Sequence, residues 1–127
     1  MATAKNYGPA RLVVGAGYGV RGFMAQRITA VILSIYTVVL LVGVLAMPAF
    51  TYENWKALFV FTVFTIPVGQ MLALLAFISL VWHAWTGVRD IWMDYVKPVG
   101  LRLTLHVLTI LWLVGSLAYF VQILWSL

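Results

Sequence analysis

ITAVILSIYTVVLLVGVLAM, residues 28–47, carries no charged side chain. Roughly 20 apolar residues coiled as an α-helix cover the hydrocarbon core of a bilayer, about 30 Å thick. The uncharged run around this segment extends from Ile28 to Tyr52, a second runs from Ala57 to Val88, and a third from Leu103 to Leu127. Inside a bilayer no water is available to satisfy peptide groups, so each segment must bond its own backbone as a helix. The expected fold is an all-α membrane protein, a single domain over 1–127 with transmembrane spans at about 28–48, 64–88 and 103–125.

Composition points the same way. The 127 residues are 65% hydrophobic and 9% charged, against about 25% charged in a soluble domain. A soluble fold of this size buries only about two thirds of its chain and could not hide so much apolar surface. There is no cysteine, which excludes disulfides, thiolate metal sites and an iron–sulfur cluster on this chain's own ligands. The net charge of +5 is spread thinly around apolar runs, a distribution that fits membrane topology rather than nucleic acid. The first span starts late, is too long for a signal-peptide core and lacks a small-residue cleavage site.

The second run is 32 residues long, about 48 Å as an ideal helix. That exceeds one perpendicular crossing. A kink at Pro67 and Gly69, a start in the interface, or tilt would each accommodate it. Seven basic residues flank one side of the predicted spans: Lys5, Arg11, Arg21 and Arg27 before the first, and Arg89, Lys97 and Arg102 between the second and third. Only Lys56 falls in the first loop. The expected orientation has a cytoplasmic N-terminus and second loop and a periplasmic C-terminus. Residues 1–20, rich in glycine, read as a flexible arm.

The polar chemistry gathers in SLVWHAWTGVRDIWMDYVKP, residues 79–98. His83 lies inside the second span, where an ionisable residue is rare and is a functional candidate. Imidazole is a common axial ligand of haem iron. Gly87 and Ser79 lie one turn either side of it, small enough for a flat macrocycle to approach. Spacing alone leaves a second reading open, a neutral histidine hydrogen-bonded across a helix interface. A bis-histidine haem would take its other ligand from another polypeptide. Asp94 is 11 residues beyond His83, close to three helical turns and about 16 Å along the axis. Beside it, Tyr95 offers a phenol. Together they suit a quinone, the phenol donating to a carbonyl oxygen and the carboxylate relaying a proton. Both also fit an ordinary interfacial belt. Arg27 opens the first span and reads either as a donor to a haem propionate or as a snorkelling anchor. His106 is a further ligand candidate near the start of the third span.

HAWTGVRDIWMDYVKP, with His83, Gly87, Asp94 and Tyr95, resembles the signature of the small hydrophobic membrane anchor of succinate dehydrogenase, respiratory complex II. RITAVILSIY at 27–36 and TYENW at 51–55 resemble that family's first span and first loop. The likeness covers most of 21–102. It implies three helices in a heteromeric bundle. It implies that His83 is an axial ligand of a haem b shared with a companion membrane anchor, that Arg27 lies near a propionate, that Tyr95 hydrogen-bonds ubiquinone and that Asp94 supports that site. The implied partners are the companion anchor, an iron–sulfur subunit, a flavoprotein subunit and membrane lipid, with no nucleic acid. This chain would carry no succinate chemistry itself. A fumarate reductase anchor and a haem-free structural subunit are the alternatives. Residues 1–27 lack transit-peptide character, so a bacterial inner membrane is expected.

Overall fold

The computed structural model describes residues 16–127, with side chains from 19 onward. Four helices follow in order: α1 at Ala16–Leu45, a short α2 at Tyr52–Ala57, α3 at Val68–Tyr95 and α4 at Val99–Ser126. Gly19–Leu45 of α1, α3 and α4 are each long and apolar enough to cross a membrane. Among the described residues there is no strand, only one isolated bridge between Val63 and Ile66. The protein is an all-α, multi-pass membrane protein.

α3 is the central helix, packed on α1 along one side and on α4 along the other. The α1 side is prepared by small residues. Gly69, Ala73, Ala76, Ser79 and Thr86 are the buried positions of α3, and steps of three, four and seven keep them on one face. His83 falls in the same register and is the one large side chain in it. Small residues let helix backbones approach closely where lipid provides no hydrophobic drive between helices. The α4 side is held by larger contacts. Phe77 and Phe120 stack with centroids 4.1 Å apart. Gln70 Nε2 donates to the Leu124 carbonyl at 2.9 Å, and Trp92 Nε1 donates to Thr109 Oγ1 at 3.1 Å.

The molecule is inverted relative to a soluble protein. Its buried apolar residues are only Ala73, Ala76 and Leu124 among the described residues, while Val39, Leu111 and Trp112 are 62%, 64% and 75% exposed. Hydroxyls along the spans bond back to their own helix, as Ser34 does to the Ala30 carbonyl and Ser116 to Trp112. Lipid-facing polar atoms are thereby satisfied internally.

Between α2 and α3 the chain neither kinks nor continues as helix. Thr51 caps α2 by accepting from the Asn54 amide, and Trp55 packs against Phe50 and Phe59. Val63 and Ile66 then exchange both backbone hydrogen bonds at 3.0 Å around Phe64 and Thr65, which have φ of 50° and 73°. Two central residues at positive φ make a tight hairpin of the I′ kind, and this conformation is incompatible with a right-handed helix. The second long helix therefore starts at Val68, not near 64, and runs beyond 88 to Tyr95. The first is likewise already helical ahead of 28, from the first described residue, Ala16. The arm expected over 1–20 lies, up to residue 15, outside the described residues; 16–20 are helical.

Candidate functional site

Where α1 begins and α3 ends, the two helices part to form a cleft of about 500 Å³. α1 contributes Gly19, Gly22, Phe23, Gln26, Arg27 and Ala30, and α3 contributes His83, Thr86, Arg89 and Asp90. The α1 residues recur at steps of three and four, so one helical face lines the opening. The small residues that leave room for a flat ligand come from α1. Gly87, on α3, meets open space where a Cβ would stand, but it is not part of this wall, and Ser79 is buried.

His83 is half-buried and joined to α1 by one hydrogen bond, 3.1 Å between its Nδ1 and Thr29 Oγ1. The proton can be placed by elimination. Thr29 Oγ1 lies 2.7 Å from the Ala25 carbonyl and 3.2 Å from that of Gln26. An oxygen pair at 2.7 Å is an O–H···O hydrogen bond, and a hydroxyl has one proton to give. Thr29 spends it on Ala25. Its oxygen is then placed to accept from Nδ1–H, and in a neutral imidazole that arrangement leaves the lone pair on Nε2. A neutral imidazole in that state is ready to bind a metal through Nε2.

The surroundings favour a ligand with anionic arms. The Gln26 Oε1 atom is buried without a hydrogen-bond partner. Amide oxygen and nitrogen exchange by a simple flip, so Gln26 can turn either polar end to an incoming group. Arg27 stacks its guanidinium over the Phe23 ring at 4.9 Å and has no carboxylate partner among the described residues. Arg89 pairs with Asp90 at 3.2 Å, both substantially exposed. An imidazole lone pair, a free guanidinium and an orphaned amide in one cleft fit haem: a nitrogen for iron, donors for propionates.

The structure separates the other candidates. α3 is continuous from His83 to Tyr95, but Asp94 and Tyr95 stand outside the cleft at the end of the helix, Tyr95 being 81% exposed. His106 is on α4. Its Nδ1 donates to the Arg102 carbonyl at 2.7 Å and its ring meets Trp85 edge-on, away from His83. Sequence reasoning does not single out Thr29, Gln26, Thr86 or Asp90, and uses Arg89 only as a basic residue flanking the spans. The repeat Gly19, Gly22, Gln26, Thr29 at steps of three and four is the available signal.

The chain matches, over residues 1–121, the family of succinate dehydrogenase/fumarate reductase transmembrane subunits. It belongs to that family. It is 37% identical over 107 residues to the succinate dehydrogenase hydrophobic membrane anchor subunit of Coxiella burnetii (strain RSA 493 / Nine Mile phase I), an alignment covering 84% of this chain and 89% of the relative. It is thus a succinate dehydrogenase membrane anchor, part of an oxidoreductase complex with other subunits. In this membrane anchor the resemblance rests on sequence running through both walls of the cleft.

Proposed function

We propose that this membrane anchor holds one face of a haem b through His83 Nε2 and contributes Tyr95 and Asp94 to a ubiquinone site. The observation that carries the haem reading is the contact of His83 Nδ1 with Thr29, which leaves Nε2 as the uncommitted ring nitrogen of a residue that lines one cleft with Gln26 and Arg27. A further protein ligand to the iron would come from the companion membrane anchor. A bound haem supplies one-electron chemistry in the membrane. Arg27 neutralises propionate charge by charge-assisted hydrogen bonds, and Gln26 adds a neutral donor.

Tyr95 and Asp94 are exposed at the end of α3, where a soluble electron donor and water both have access. There the phenol donates to a quinone carbonyl oxygen and the carboxylate passes protons from water. Electrons reach the quinone from the iron–sulfur subunit, after the flavoprotein has oxidised succinate. Among the described residues, the same end carries Arg21, Arg27, Arg89, Lys97 and Arg102, with Lys56 alone at the other. That asymmetry supports a cytoplasmic docking face on a bacterial inner membrane.

A reduced-minus-oxidised optical spectrum of the purified complex tests the haem ligand. His83→Ala is expected to abolish or weaken the b-type signal, and an unchanged spectrum removes His83 as ligand. Tyr95→Phe is expected to impair quinone reduction while succinate oxidation by artificial acceptors continues. Normal quinone turnover in that variant would sink the Tyr95 assignment.

A further inference from the structure

We propose that Thr29 is a positioning residue for His83, whose hydroxyl oxygen fixes the ring tautomer and sets the electron-donating strength of Nε2. The inference rests on the reading of His83 as a haem ligand and goes beyond it, to the residue that tunes the ligand.

A threonine in a membrane helix usually ends its chemistry by bonding back to its own backbone. Thr29 does this toward Ala25, but a hydroxyl oxygen has two lone pairs. The unused electron density faces α3, and His83 Nδ1 reaches it at 3.1 Å. Thr29 is 9% exposed, so water does not compete for the bond. The small-residue face of α3 brings the helices close enough for it to form. Back-bonding also fixes the direction of exchange: with its own proton committed, Thr29 can only accept. The imidazole then cannot adopt the tautomer that protonates Nε2 without breaking this bond.

An acceptor on Nδ1–H makes the opposite nitrogen more basic. A more basic ligand stabilises ferric iron over ferrous iron and lowers the reduction potential. Thr29 is a neutral acceptor, so it exerts less of this push than a carboxylate would. Removing it is expected to raise the midpoint potential of the haem without removing the ligand.

Three variants of the whole complex in membranes test this: Thr29→Val, which keeps the shape and loses the oxygen; Thr29→Ala, which loses it without adding bulk; and Thr29→Ser, which keeps it. Potentiometric titration of the b-type band is expected to show a higher midpoint potential in the valine and alanine variants. The low-spin electron paramagnetic resonance signal should shift in both, while the serine variant titrates like the parent. If valine disturbs helix packing, the alanine variant gives the reading. Parent-like potentials in both valine and alanine variants overturn the inference, as does a serine variant shifted as far as they are. His83→Ala separates the two readings. A lost band with unshifted Thr29 variants leaves the ligand assignment standing and removes Thr29; a retained band removes the ligand assignment and this inference with it.

Discussion

Gln26 ends in a buried acceptor that nothing among the described residues satisfies. An unsatisfied buried polar group costs about 1–3 kcal/mol, so the residue is a burden on the chain alone and an asset only with a ligand in the cleft. Gln26→Leu is therefore expected to leave assembly intact and the haem-free chain no less stable. It should reduce haem retention by about tenfold, equivalent to one hydrogen bond of about 1.4 kcal/mol. The haem-to-protein ratio after detergent dialysis measures this, and undiminished retention would show that Gln26 faces nothing. His83 was legible because an imidazole in an apolar run stands out against its neighbours. Thr29 was not, since a hydroxyl is commonplace in such a run and its partner lies 54 residues away. Arg89 and Asp90 were visible as charges, but their place in the cleft wall depends on how α1 leans on α3.

At the level of elements, the loop before α3 is tied down by Gly69. Its N–H donates to the Phe61 carbonyl at 3.0 Å, and a Cβ there would stand 2.5 Å from the Phe59 carbonyl oxygen and 2.8 Å from the Phe61 nitrogen. Both are backbone atoms that cannot swing aside. Gly69→Ala is expected to destabilise the protein by about 1–3 kcal/mol, the usual range for forced overpacking. At Gly43 a Cβ would meet only the Leu58 Cδ2 atom, at 2.8 Å, and a leucine side chain can rotate away. Gly43→Ala should be near neutral, because alanine recovers up to about 1 kcal/mol of helix propensity. The thermal inactivation midpoints of the two solubilised complexes compare them directly, and equal midpoints would discount the Gly69 contact. The existence of the long helices was plain from the three uncharged runs. Their limits were not. Pro67 marked a break, but the hairpin puts Phe64 and Thr65 at positive φ, where glycine or asparagine would ordinarily announce the turn.

For the molecule as a whole, the absence of cysteine makes orientation directly measurable. Single substitutions Lys97→Cys and Lys56→Cys place one thiol at each end of the bundle. In sealed inverted vesicles an impermeant maleimide is expected to label position 97 and to reach position 56 only after permeabilisation. The reverse pattern would overturn the proposed topology. The alternation of runs and basic flanks is what suggests this orientation, and the labelling decides it. The central position of α3 was hidden, since it depends on which faces of three similar helices meet.

The bond between Thr29 and His83 joins α1 to α3 across 54 residues of chain, and this bears on biogenesis. As the nascent chain leaves the ribosome, the imidazole emerges well after its acceptor and meets it only when two separately inserted helices have docked. Until then the ring is free to exchange tautomers. If His83 binds haem iron as proposed, capture belongs late in maturation, and loading would itself report that this pair of helices has found its register.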